Sequence, residues 1–193
     1  MNAVAHQTPA RASWLRRLLK DLVRPAPQKY NSTQFINIVS ALVIVIVLGF
    51  SFIMARWSIS IDPQKIKCLP YLVYIQTKSI PDVIQRGHIY TYRAKGLEPL
   101  LKDGSPMAKI AAGVPGDRVR IDATGVYING EFFGPLNEYV INKMKLDRQA
   151  LYRNFVIPDG KYLMLGTLPQ TYDSRYWGLV DAKQMQGSAF PVW

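Results

Sequence analysis

The chain carries one cysteine, Cys68, and two histidines, His6 and His88. A single cysteine forms neither an intrachain disulfide nor a CxxC-type zinc site, and two histidines, one of them in a polar N-terminal stretch, do not make a His-rich metal site. The expectation is therefore no metal and no cofactor. A Ser-His-Asp triad would have to use His88. Nucleophilic catalysis otherwise needs another base, and a lysine serves once desolvation lets its neutral amine take a proton. Most lysines are solvated. Lys109 is set apart by its neighbours, because Met107-Ala108-Lys109-Ile110-Ala111-Ala112-Gly113 is otherwise small and apolar. The nearest charges in sequence are Asp103 and Asp117.

The elements that must position such a base fall into two parts. The chain has 193 residues, 49% hydrophobic and 19% charged, which excludes general disorder. From Phe35 to Ala55 run 21 residues without a charge, closed by Arg56 and Trp57. A spanning helix needs about 20 such residues, and Arg and Trp suit the interface beyond them. Residues 1–34 carry six basic side chains (Arg11, Arg16, Arg17, Lys20, Arg24, Lys29) and one acidic, Asp21. The positive-inside rule keeps this end in the cytoplasm and places residues 56–193 outside, in the periplasm of a bacterium. The uncharged run is too long for the core of a cleavable signal peptide, so it reads as an uncleaved anchor. Leu15, Leu18, Leu19 and Leu22 after Ser13 form the pattern of a short amphipathic helix on the membrane surface. A net charge of +11 suggests nucleic acid, but +5 of it lies in this flank and no nucleic-acid-binding motif is present. No nucleic-acid partner is expected.

Residues 56–193 read as mainly β. Strands are expected at Leu72–Ile75, His88–Arg93, Met107–Ala112, Arg118–Asp122, Val126–Ile128, Glu131–Phe133 and Lys161–Leu165, each bounded by turn residues. Val114-Pro115-Gly116-Asp117 has the form of a type II turn, and Asn129-Gly130 is a strong hairpin signal. Residues 136–153 are polar and partly helical in pattern. The expected class is a partly open barrel or a pair of sheets built on antiparallel hairpins.

Several of these segments resemble the boxes of the type I signal peptidase (S26) family. Lys109-Ile-Ala-Ala-Gly-Val-Pro-Gly-Asp117 is similar to its lysine box, K-R-x-x-G-x-P-G-D. Gly166, followed by Asp173-Ser174-Arg175-Tyr176-Trp177-Gly178, resembles its last box, G-D-N-R…D-S-R-x-W-G. The Val126–Gly130 hairpin and Arg86-Gly87-His88 also fit, in the family's order, over most of residues 62–180. The resemblance implies a signal-peptidase-like antiparallel β domain behind one N-terminal transmembrane helix, with Lys109 as general base. It also implies a serine after the anchor as nucleophile. In the TraF-like conjugative-transfer branch that serine sits in S-x-P before an aromatic strand. Here Lys67-Cys68-Leu69-Pro70-Tyr71 puts Cys68 in its place, 41 residues before Lys109. A cysteine is intrinsically the better nucleophile, although a lone cysteine is more often an inert core residue.

Ser79, in Ser79-Ile80-Pro81, is the rival nucleophile, 30 residues before Lys109; its ordinary role would be a turn serine before proline. Asp173, Ser174 and Arg175 would be supports near the lysine. The plainer alternative for Asp173 and Arg175 is a surface ion pair worth under about 1 kcal/mol. The chain departs from the family pattern at His88, Ile110 and Thr167-Leu168-Pro169. It also departs at Ile66, where the family places the hydroxyl that assists the oxyanion. The implied activity is cleavage of an exported precursor, a conjugative pilin, at the bacterial inner membrane, with conjugative secretion machinery as a further partner. A housekeeping leader peptidase and a catalytically inactive assembly factor are the alternatives.

Overall fold

The computed structural model describes residues 20, 31–64 and 66–192. The expected amphipathic helix and most of the basic flank lie outside the described residues. The chain divides into two compact units, Met1–Leu48 and Gly49–Trp193.

Helix α1 covers Ser32–Arg56, a few residues longer than the uncharged run, and none of its residues is buried. At 1.5 Å per residue it is about 37 Å long, enough to cross a hydrocarbon core of about 30 Å. Its length and composition thus fit a single membrane span. The Arg56 guanidinium lies 4.7 Å from the centroid of the Phe52 ring.

The second unit is built from antiparallel strands. They are β1 (Trp57–Ile61), β2 (Val73–Thr77), β3 (Ile89–Arg93), β4 (Pro106–Gly113), β5 (Arg118–Asp122), β6 (Gly125–Ile128) and β7 (Glu131–Gly134). After helix α2 (Glu138–Lys143) come β8 (Arg153–Val156), β9 (Lys161–Leu165), the one-turn helix α3 (Ser174–Trp177), β10 (Val180–Asp181) and β11 (Met185–Pro191). Seven strands form one sheet in the order β1-β2-β11-β3-β4-β9-β10, and four form a second, β7-β6-β5-β8. The pair of sheets expected from the sequence is therefore the arrangement observed, and each expected strand lies within two residues of its place.

Turn chemistry explains the accuracy. Asn129 and Gly130 both take positive φ, +52° and +90°, as a two-residue hairpin with the right twist demands. Gly116 sits at φ +88°, where a type II turn needs glycine. Asp117 then fixes that turn from inside. Its carboxylate accepts from Val114 N (2.8 Å) and Asn129 Nδ2 (2.9 Å) and pairs with Arg86. The turn carries the chain from the end of β4 into the second sheet.

Strands β1, β8, β10 and β11 are not among those expected from the sequence. In β11, Met-Gln-Gly-Ser-Ala-Phe-Pro alternates in burial, but its glycine, its proline and its lack of β-branched residues make it a weak candidate for a strand. It becomes one because it fills the slot between β2 and β3, pairing Ala189 with Gln76 on one side and Ser188 with Tyr90 on the other. Strand preference is set by such neighbours more than by composition. The largest apolar cluster includes Val119, Ile121, Val126, Ile157 and Leu163 and joins the second sheet to β9.

Replacing Asp117 by Ala leaves the Val114 N–H, the Asn129 amide and the Arg86 guanidinium without their shared acceptor. Thermal unfolding followed by circular dichroism should show a loss of about 1 kcal/mol, because Arg86 and Asn129 are exposed and water replaces much of what the donors lose.

Candidate active site

Lys109 is in the middle of β4, directly across from Tyr90 of β3, and is completely buried. It sits in a run of small and apolar residues, Ala108, Ile110, Ala111 and Ala112, of which Ala111 and Ala112 are themselves buried. Its Nζ donates to the Thr171 hydroxyl at 3.0 Å. Among the described residues no carboxylate pairs with it. A buried amine held by one neutral hydroxyl is an uncommon arrangement, since buried charges are normally paired.

A second buried charge of the domain has a partner of its own. Asp173 is fully buried and meets Arg175 as a fork, with Nε to Oδ1 at 2.8 Å and Nη2 to Oδ2 at 3.0 Å. Asp173 also accepts from Gly166 N at 2.8 Å, while Arg175 Nη2 donates to the Gly166 carbonyl at 2.9 Å. Arg175 Nη1 reaches the Pro135 carbonyl at 3.0 Å, just before α2. Ser174 Oγ accepts from Met164 N of β9 at 3.0 Å. The motif is thus a buried brace between β9, the turn that follows it and the approach to α2. The surface ion pair considered from sequence is not what forms.

That brace holds the turn on which the site depends. Thr167 N and Leu168 N donate to the Cys68 carbonyl at 3.0 and 3.3 Å. A Cβ on Gly166 would come within 2.6 Å of the same carbonyl and closer still to the Thr171 hydroxyl. Only glycine lets the Cys68 backbone and Thr171 approach from both sides. Cys68, half-buried, and Lys109 accordingly line one cavity of about 530 Å³. Among the described residues the Cys68 N–H has no acceptor. Tyr74 lines the cavity too. Burial above all, then Asp62 and Cys68, pushes its phenol up to about 12, so it stays a protonated donor.

The other expected residues lie apart. Ser79 is exposed beyond the end of β2 and does not line this cavity; its carbonyl accepts from the Thr77 hydroxyl at 3.1 Å. His88 is likewise exposed and outside it, so among the described residues no histidine joins the cavity. Ile66, at the position of the family's oxyanion hydroxyl, lines the cavity with an apolar side chain. Among the described residues no group of three or more His, Cys, Asp or Glu side chains could hold a metal ion. Thr171 was not singled out from sequence. Its only signal is a hydroxyl two residues before Asp173, and its meaning appears once the turn folds it onto Lys109.

Residues 31–193 match the family model described as signal peptidase, peptidase S26. The chain belongs to this family. A probable signal peptidase I-2 of Synechocystis sp. is 32% identical over 107 residues, 55% of this chain and 46% of that protein. The chain thus spans about half the length of that relative. Signal peptidase IB of Staphylococcus aureus is 28% identical, covering 54% of this chain and 76% of its own length. A solved signal peptidase I of Enterococcus faecalis V583 is 27% identical, covers 57% of this chain and 98% of that structure, and superposes with a TM-score of 0.35. The match to the family model takes in every box residue named above, from Arg86 to Gly178.

Adding a methyl at Gly166 tests the brace directly. In Gly166→Ala the amides of Thr167 and Leu168 should lose their Cys68 acceptor and exchange with deuterium faster, with overall destabilisation of about 1–3 kcal/mol from the forced overlap.

Proposed function

We propose that this chain is a membrane-anchored endopeptidase of the signal peptidase type, with Cys68 as nucleophile and Lys109 as general base. One observation carries the reading: Cys68 and Lys109 line the same cavity and are both tied to the 166–171 turn, Cys68 through its carbonyl and Lys109 through Thr171.

In this mechanism neutral Lys109 Nζ takes the proton of the Cys68 thiol. The thiolate attacks the scissile carbonyl carbon, and the oxyanion is met by the Cys68 N–H. The C–N bond breaks as the Lys109 ammonium returns its proton to the leaving amine, leaving a thioester. Water then attacks the thioester carbonyl while Lys109 takes its proton. The carbon–sulfur bond breaks, and Lys109 restores the thiol. Thr171 accepts an Nζ–H bond and so aims the amine lone pair away from itself; it is a positioning residue.

The substrate is an exported precursor, and the TraF-like form of the Cys68 motif favours a conjugative pilin processed beside its secretion machinery. The basic flank favours a cytoplasmic N-terminus with the peptidase domain in the periplasm of the bacterial inner membrane. Anchoring enzyme and precursor in one membrane raises the effective concentration of the cleavage site.

Cleavage of a membrane-tethered precursor by the full-length, detergent-held protein tests this. Cys68→Ala and Lys109→Met should each lower the rate by at least ~10²–10⁴-fold. Thr171→Val should lower it by roughly 10–100-fold through misplacement of the amine, with Thr171→Ser restoring most of it. Ser79→Ala should cleave as the wild type does. Undiminished cleavage by Cys68→Ala would end the dyad, and its loss in Ser79→Ala would move the nucleophile there.

A further inference from the structure

An oxyanion formed at Cys68 has one evident donor, the Cys68 N–H. Ile66 stands where a hydroxyl would have supplied another. A donor aimed at a developing oxyanion is worth about 10²–10³ in rate, so a second one matters. Most polar side chains of the cavity wall are unsuited to the task. Gln76 Nε2 already donates to Ser58 Oγ at 2.9 Å, and the Thr91 hydroxyl donates to the Gly187 carbonyl at 3.3 Å. Gln64, Tyr139 and Gln170 are exposed.

Tyr74 of β2 is different. It lines the cavity and is 4% exposed. Among the described residues its hydroxyl has one hydrogen bond, to the Tyr71 carbonyl, and at 3.4 Å that bond is long. Buried polar groups are normally well satisfied, so this phenol has capacity for a better acceptor. Its position is tied to Cys68 by a short packed segment. Leu69, beside Cys68, is buried in one cluster with Tyr74. The Tyr71 ring meets the Tyr74 ring edge-on, with centroids 6.2 Å apart. At the other end of the segment the Cys68 carbonyl is held by the amides of Thr167 and Leu168. Burial chiefly, then the charges of Asp62 and Cys68, keeps the phenol protonated. A thiolate at Cys68 therefore reinforces its standing as a donor.

We infer that the Tyr74 phenol donates the second hydrogen bond to the oxyanion, in place of the hydroxyl missing at Ile66, and is a catalytic residue. This rests on the peptidase reading and deepens it. As the thiolate sulfur adds to the scissile carbon, the carbonyl oxygen gains charge. The phenol exchanges its long bond to Tyr71 for a short one to that oxygen, and its proton stays on the phenol throughout. Because the bond is strongest when the charge is greatest, it lowers the barrier rather than tightening substrate binding.

The test uses the full-length protein in detergent. Tyr74→Phe removes one oxygen and one weak bond, so the fold is kept. Its kcat/KM on a membrane-tethered precursor should fall by about 10²–10³-fold. Binding of a cleavage-site peptide to Cys68→Ala, read by fluorescence anisotropy, should be unchanged when Tyr74→Phe is added. A peptide aldehyde of the same sequence adds the Cys68 sulfur to give a hemithioacetal, whose oxygen takes the oxyanion's place. It should inhibit Tyr74→Phe more weakly than the wild type, by a factor similar to the loss in kcat/KM. Tyr172 also lines the cavity, but its ring stacks on Tyr176, and Tyr172→Phe should cleave as the wild type does. Wild-type kcat/KM in Tyr74→Phe would overturn the inference and leave the peptidase reading intact. So would a loss accompanied by weaker peptide binding or by undiminished aldehyde inhibition, and so would a loss found in Tyr172→Phe instead. No cleavage by the wild type would overturn the peptidase reading, and the inference with it.

Discussion

The buried fork between Asp173 and Arg175 is the interaction on which the rest of the site depends. Each of its partners also grips the Gly166 peptide, one by its N–H and the other by its carbonyl. A buried ion pair of this kind contributes little net stability, because desolvation offsets much of the attraction. Its value is geometric. Removing either member strands a charge in the interior, so the turn has one satisfied arrangement. In that arrangement Cys68 is fastened by its carbonyl, and Thr171 is delivered to Lys109.

The same brace explains how a buried lysine is left without a counter-ion. Lys109 and Asp173 are both fully buried in one small domain, where a buried charge normally needs a partner. Arg175 occupies both carboxylate oxygens of Asp173, which leaves Lys109 a hydroxyl and nothing more.

Much of this arrangement was legible in the sequence, for physical reasons. Asn129-Gly130 and Pro115-Gly116 dictate backbone geometry locally, so the hairpin and the turn after β4 could be read directly. The apolar surroundings of Lys109 likewise announce its burial. What sequence could not give was long-range. Strand β11 exists because β2 and β3 leave it a slot, and Thr171 matters because the turn after β9 brings its hydroxyl to Lys109, 62 residues away in the chain. Nothing in the sequence marks the three leucines at 97–101, and only the fold shows that they line a cavity. The motif favours Cys68 over Ser79, and the fold likewise leaves Ser79 outside the cavity that Cys68 and Lys109 share.

The central claim is that the 166–171 turn couples the Cys68 thiol to the Lys109 amine. Cys68 is the only thiol in the chain, so its reactivity can be followed without ambiguity. The rate of its alkylation by iodoacetamide at neutral pH should be measured in the folded wild type and in Lys109→Met. The account predicts that alkylation slows by about tenfold when the amine is removed, because the thiolate is the reacting species and its formation depends on the base. Equal rates in the two proteins would contradict it.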